Sequence, residues 1–177
     1  MEKMLKWAKS TFALLPGLLI IATNLGVPPG VSHLLLGGII EACGGFTLIV
    51  LKLKTKDLQQ IEPKKLERLA ILFFSLFLLA LLGYLLLFQL QVIYNATYDQ
   101  TVFFPFWQSV ELQFMIGHAG SKNAAIDSYG VEAVLQATKN PGIYLALTMI
   151  AFVLIYLLVF ECLTIGFGLL AGKRQSP

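Results

Sequence analysis

Two carboxyl groups, Glu41 and Glu161, each lie inside a long apolar run of the sequence. Glu41 stands eleven residues before Lys52, and Glu161 stands twelve residues before Lys173. At a rise of about 1.5 Å per residue, a helix would place each carboxyl about 16 to 18 Å from its basic end. That depth is close to the middle of a hydrocarbon core about 30 Å thick. The spacing therefore predicts two acids at matching depth in a membrane.

A carboxylate at that depth costs at least about 2.5 to 3.5 kcal/mol when it faces lipid. Each acid should therefore be protonated, paired, or exposed to water inside the protein. No Lys or Arg occurs at that depth, and His33 and His118 are expected on the outer side, so neither a buried salt bridge nor a metal site is predicted. Two interpretations stay open. The acids lock helices together through hydrogen bonds, or copies of them in an oligomer form a pore or a protonation switch.

Small residues flank Glu41 on both sides, in the stretch GGIIEACGG. Glycine lets a second helix approach closely, and Gly38 and Ala42, four residues apart, share one helix face. We therefore predict that Glu41 points into a close helix junction and away from lipid. Gly38, Gly44 and Gly45 would form the walls of that junction.

The composition indicates an integral membrane protein with one domain. Of 177 residues, 57% are hydrophobic and 13% are charged, and the mean hydropathy is +0.77, whereas soluble domains carry about 25% charged residues. Four segments are long enough to cross a membrane, at about residues 11–27, 33–51, 69–90 and 143–170. The first has a basic start like a signal peptide but no cleavage site, so it is interpreted as an uncleaved span. The predicted fold is all-α, a four-helix membrane bundle.

Basic residues lie mainly on one side of these spans. Eleven of the 13 Lys and Arg precede the first span, lie in the loop at about 52–68, or follow the fourth span. By the positive-inside rule, this loop and both termini are predicted to be cytoplasmic. The loop at about 95–141 would then be extracytoplasmic.

The positions of the cysteines bear on the origin of the chain. Cys43 and Cys162 both lie in predicted spans, so no disulfide framework can stabilise the outer loop. This pattern favours a bacterial inner membrane protein over animal proteins that pin a large outer loop with disulfides. The sequon Asn95-Ala96-Thr97 keeps a eukaryotic origin open.

The outer loop is predicted to form a small helical cap between the third and fourth spans. Its aromatic residues, which include Phe103, Phe104, Phe106 and Trp107, are expected to lie on the membrane surface or between subunits, exposed to outside signals. A second short helix is predicted from about Ile126, ended by Asn140-Pro141-Gly142. About 45 residues without a disulfide should bury little core alone, so the cap should rest on lipid, on the helix ends or on other copies.

The inner loop concentrates positive charge, and Pro63 suits the first turn of a helix that continues into the third span. Its cations are interpreted first as topology anchors near anionic lipid. The second interpretation is a docking surface for a soluble cytoplasmic partner, formed by Lys54, Lys56, Lys64, Lys65 and Arg68.

Enzymatic motifs are absent from the sequence. It contains no glycine-rich phosphate loop, no His-Glu-x-x-His pattern and no nucleophile elbow. A haem protein would need His residues inside the spans. We therefore expect a non-enzymatic protein without metal or cofactor, whose partners are membrane lipid and copies of itself, and which does not bind nucleic acid directly.

Four features together suggest a family: the basic start MEKMLKWAKS, the short turn VPPGVSH, the basic inner loop KLKTKDLQQIEPKKLERL and the cysteine-free outer loop. The chain resembles, over its whole length and at the level of architecture, KwaA, the four-span membrane subunit of the bacterial Kiwa anti-phage defence system. The resemblance implies an oligomeric inner membrane protein that responds to phage attachment and works with a cytoplasmic DNA-binding subunit. It carries over no functional residues.

The expected function is therefore that of an oligomeric sensor and scaffold that recruits a cytoplasmic partner. The main alternative is an oligomeric ion channel or pore-forming effector, gated through Glu41 or Glu161. A third is a trafficking adaptor with a glycan on Asn95.

Overall fold

The computed structural model describes residues 26–27, 30–54, 58 and 60–173. The predicted first span, 11–27, lies outside the described residues except for its last two. The described part contains six helices and one antiparallel hairpin. In chain order the elements are α1 (His33–Leu53), α2 (Pro63–Gln91), β1 (Val92–Asn95), β2 (Gln100–Phe103), α3 (Val110–Ala119), α4 (Lys122–Tyr129), α5 (Val131–Lys139) and α6 (Gly142–Lys173).

Three of these helices are long and apolar enough to cross a membrane: His33–Leu53, Pro63–Gln91 and Gly142–Ala171. They contain the segments predicted as the second, third and fourth spans. Pro63 is the first residue of α2, as predicted, because a helix needs no N–H donor from its first residue. The finding supports the assignment of a membrane protein.

The chain divides into two compact units, and the first contains α1, most of α2 and the second half of α6. Helices α1 and α6 run in the same direction there. A Cβ added to Gly44 would lie 3.5 Å from the Thr164 hydroxyl, and one added to Gly168 would collide with Leu51. The residue numbers of the contacting pairs increase along both helices, as they do in a parallel pair. Glycine permits the close approach at each of the two contacts.

Helix α2 runs opposite to α6 in this unit. Phe74 packs edge-on against Phe167, with ring centroids 5.2 Å apart, and lies against Gly166. Earlier in α2, Leu66 and Ala70 are buried together with Leu169. The start of α2 and the end of α6 therefore lie at the same end of the unit.

The second unit covers residues 83–154 and Gly30, and its segment 92–139 is called here the loop domain. The hairpin pairs Val92 with Phe103 and Asn95 with Gln100. Side chains from the hairpin, the segment after it and the three short helices form one buried cluster: Val102, Phe104, Leu112, Ile126, Val131, Val134 and Ala137. The expectation that this loop would bury little core is wrong, because elements distant in sequence pack their apolar faces together.

The local sequence explains where the short helices begin and end. Ser109 and Ser121 cap α3 and α4, since their side chains accept hydrogen bonds from Leu112 N and Ala124 N. Gly120 ends α3 with a φ of 84°, and Gly130, with a φ of 82°, separates α4 from α5. The prediction of a single helix after the aromatic segment is therefore wrong, because Gly130 interrupts it.

Candidate functional site

The Glu161 carboxyl has a partner on another helix. The Thr47 hydroxyl on α1 donates a hydrogen bond to Glu161 Oε2 on α6, with an oxygen–oxygen distance of 2.6 Å. Both side chains are half-buried. The bond satisfies a polar group that is costly to bury in an apolar bundle. Thr47 was not among the predicted site residues, although a hydroxyl within an apolar span was the signal that could have identified it.

Gly44 lies next to this contact and forms part of a helix junction, as predicted. It is buried, and its α-carbon faces the Thr164 side chain. The Thr164 hydroxyl donates to the Phe160 carbonyl of its own helix at 2.9 Å. At this junction α1 therefore contributes a glycine, and α6 contributes a threonine whose hydroxyl is hydrogen-bonded within its own helix.

Glu41 does not lie in the junction between α1 and α6, and its side chain is exposed. No described atom lies within 4 Å of a Cβ added to Gly38 or Gly45, so these two glycines line no junction among the described residues either. The placement of Glu41 in a close helix junction therefore stays a prediction. Glu41 and Thr47 lie about 60° to either side of Gly44 around α1, and the Thr47 side is the one that faces α6.

Glu161 lies beside the part of α1 that follows Glu41. The Gly44–Thr164 contact would place Glu161 level with Glu41, the Gly168–Leu51 contact would place it level with Gly44, and its hydrogen-bond partner is Thr47. The same stretch of the parallel pair therefore carries a hydrogen-bonded carboxyl and an exposed one.

This arrangement can form hydrogen bonds, exchange protons or attract cations, which is the chemistry open to carboxyl groups in a low dielectric. Among the described residues, no group of three or more His, Cys, Asp or Glu side chains could hold a metal ion.

The predicted interfacial aromatics separate into two sets. Phe103 and Phe104 are buried, Phe104 with no exposed surface, so the prediction that they face the outside is wrong. The Phe103 ring packs edge-on against Phe152 of α6, with centroids 5.3 Å apart. Phe106 is half-buried and Trp107 is exposed. Phe103 is the last residue of β2 and packs against α6, whereas Phe104 follows the strand and packs in the core of the loop domain.

Asn95 is a structural residue of the hairpin turn. Only 6% of its surface is exposed. Its Nδ2 donates to Asp127 at 2.9 Å, and its Oδ1 accepts from Thr97 N and Tyr98 N. A glycan attached to Nδ2 would have to leave this buried position, so the structure disfavours the hypothesis of an Asn95 glycan.

Two charged contacts hold the loop domain together. Lys122 donates to the Leu90 carbonyl and to Gln91 Oε1, and its Nζ lies 5.1 Å from the centre of the Phe104 ring. Burial lowers the pKa of the Lys122 ammonium. In the hairpin turn, the Tyr94 hydroxyl donates to Asp99 at 2.7 Å. This hydrogen bond, together with partial desolvation, raises the pKa of Tyr94.

The predicted partner-binding cations lie at the end of α1 and the start of α2. Lys54, Lys64, Lys65 and Arg68 are all exposed, whereas Lys56 lies outside the described residues. Leu66 and Ala70, on the other face of the same helix turn, are buried. The structure thus places four of the five cations on accessible surface.

Comparison of the chain with protein-family models, with curated proteins and with solved structures found no match. What the protein does must therefore be inferred from its own residues.

Proposed function

We propose that the protein is a non-enzymatic, oligomeric sensor and scaffold of a bacterial inner membrane. Four helices would cross the membrane, with both termini and the inner basic loop in the cytoplasm and the loop domain outside. The observation that carries the proposal is the exposed Glu41 carboxyl in the middle of a helix long and apolar enough to span a membrane.

An exposed carboxyl at that position supports assembly. Facing lipid it would cost at least about 2.5 to 3.5 kcal/mol. Contact with a second copy removes that cost, and the open surface at Gly38 and Gly45 allows another helix to approach closely. A monomer surrounded by lipid would retain the full penalty.

A sensing role is supported by the loop domain and by the continuity of α6. The loop domain has its own core, which is what a domain that receives a stimulus needs to keep its shape. Helix α6 is unbroken over 32 residues. It contributes Phe152, against which Phe103 packs, and Leu169, which is buried with Leu66 and Ala70.

The scaffolding role rests on the inner cations. Lys54, Lys64, Lys65 and Arg68 are exposed together at one end of the bundle and suit a soluble partner with an acidic surface. By the resemblance to KwaA, that partner would be a cytoplasmic DNA-binding subunit of an anti-phage defence complex, and nucleic acid would be bound by the partner.

The assembly step is tested at Glu41. We expect Glu41→Lys to block assembly, because an ammonium group at this depth has no partner and loses its charge less readily. Glu41→Gln, which keeps a hydrogen-bonding group of the same size, should still assemble. Light scattering of the purified protein in a mild detergent measures subunit number for both variants. Normal oligomers of Glu41→Lys would contradict the proposal.

An ion channel is the second candidate, and the presence of Glu41 and Glu161 in one stretch of the parallel helix pair favours it. Repeated around an oligomer, that stretch would place carboxyls around a pore. Cation flux from liposomes that is present in the wild type and lost in Glu41→Gln would favour the channel. Flux that is absent from an assembled wild-type protein would favour the scaffold.

A further inference from the structure

Three apolar side chains on the loop domain face away from its core. Trp107 is 55% exposed, Val110 85% and Phe114 66%. Val110 and Phe114, four residues apart, share one face of α3, and Trp107 lies just before the helix. The opposite face of α3 contributes Leu112 to the core. The helix is therefore apolar on its outer face as well as on its inner one.

Contacts inside the second unit give the level of this surface along α6. The Phe106 N–H donates to the Thr148 hydroxyl at 2.9 Å. The Phe106 ring stacks on Phe152, with centroids 5.6 Å apart and an interplanar angle of 19°. Trp107 is the next residue, and the two rings meet edge-on. Trp107 therefore lies near the level of Thr148.

That level is close to an edge of the hydrocarbon core. The apolar helix Gly142–Ala171 has 30 residues, whereas about 20 residues cross a core about 30 Å thick. Counted from the basic end of the helix, after Ala171, the core would end near residue 151. Thr148 and Phe152 lie on either side of this boundary, at the depth where headgroups meet acyl chains.

We propose that Trp107, Val110 and Phe114 form a docking surface for the lipid bilayer, inserted at the boundary between headgroups and acyl chains. Tryptophan is the side chain most favoured at this depth, because its ring is apolar and its N–H is polar. The backbone N–H of Phe104 donates to the carbonyl of Gln91, the last residue of α2. The segment that leads from Phe104 to Trp107 therefore also begins next to the end of an apolar helix. Lipid is the partner that every helix reaching this depth already contacts.

This inference requires only that α2 and α6 span a membrane. It is independent of the proposed assembly at Glu41, so either could fail without the other.

The test uses the fluorescence of Trp107 itself. The chain has two tryptophans, Trp7 and Trp107, so Trp7→Phe leaves the native side chain as the only emitter. The variant is reconstituted into phosphatidylcholine vesicles that carry bromine at either shallow or deep acyl positions. We expect a blue-shifted emission that shallow bromine quenches at least about twofold more than deep bromine, and that aqueous acrylamide quenches weakly.

A matched control places the emitter in the hairpin turn. Tyr98 is exposed and lies beyond the four residues of β1, about 13 Å from the end of α2. The variant Tyr98→Trp, with both native tryptophans replaced by Phe, should be quenched by acrylamide and not by brominated lipid. Phe114→Trp in the same background should respond as Trp107 does.

Two results would overturn the proposal. Acrylamide quenching of Trp107 equal to that of the Tyr98→Trp control would mean that the surface faces water. Protection of Trp107 from both quenchers would mean that protein covers it, as in contact with a second copy of this chain.

Discussion

Replacing Thr47 with Val removes the hydroxyl that donates to Glu161 and leaves a side chain of nearly the same shape. The bond joins α1 to α6, and its length of 2.6 Å is at the short end of the range for hydroxyl donors. Glu161→Met removes the acceptor and keeps an unbranched side chain. If the bond holds the two helices together, the two substitutions should not be additive.

The expected size follows from hydrogen bonds in comparable settings. Interhelical hydrogen bonds in membranes contribute about 0.6 kcal/mol on average and at most about 1.7 kcal/mol. The short distance and the half-buried position favour the upper half of that range, so we expect a coupling free energy of about 1 kcal/mol. This corresponds to a factor of about 5 in the unfolding equilibrium.

A double-mutant cycle measures this coupling. The wild type, the two single variants and the double variant are unfolded by increasing the fraction of a denaturing detergent in mixed micelles, and helix content is followed by circular dichroism. Thr164→Val is the matched control, because the Thr164 hydroxyl donates to its own helix and not to Glu161. Its cycle with Glu161→Met should give a coupling near zero.

A Thr47–Glu161 coupling below about 0.3 kcal/mol, the usual error of additivity, would refute the account of this contact. A coupling no larger than that of the Thr164 control would do the same. Either result would mean that Glu161 is satisfied elsewhere and that Thr47 merely lies beside it.

Two other predictions concern the cations at the start of α2 and Lys122 of the loop domain. Replacing Lys64, Lys65 and Arg68 with Gln should abolish co-purification of a soluble partner and leave the membrane oligomer intact. The control Lys139→Gln, on the loop domain, should change neither. Undiminished co-purification of the partner with the triple variant would argue against docking at the inner loop. Burial lowers the pKa of Lys122 in the folded state. Between that pKa and about 10.5 the unfolded chain binds more protons than the folded one, so the free energy of unfolding should rise as pH increases through this interval. Thermal unfolding should show this rise in stability in the wild type and a smaller rise in Lys122→Met; equal slopes in the two proteins would show that Lys122 does not cause it.

The three described membrane helices were predictable from the sequence because their signals are local. An apolar run of sufficient length is a property of consecutive residues, and it located α1, α2 and α6 to within a few residues of their observed ends, apart from the first turns of α2. Pro63 marked the start of α2 in the same local way. The depth of Glu41 and Glu161 in a membrane stays a prediction, which follows from counting residues to the nearest Lys because helical rise is constant.

The loop domain was predicted less well because its core is formed by distant residues. The β-branched and aromatic residues around the Asn95 turn were a signal for the hairpin, but two four-residue strands are too short to recognise with confidence from pattern alone. The aromatic segment was interpreted as one surface. In the structure, Phe104 packs with Ile126 and Val134 from later helices. Which aromatic rings are buried therefore depends on contacts between distant residues, and the periodicity of the sequence does not describe those contacts.

The sequence by itself determined that this protein has long apolar helices and that two of them each contain a glutamate. Only the tertiary structure decided that Glu161 is bonded to Thr47 while Glu41 is exposed. Depth along a helix depends on residue number alone, whereas the direction a side chain faces depends on how the helix is rotated. That rotation is set by packing at Gly44 and Gly168, where the smallest side chains allow α1 and α6 to touch.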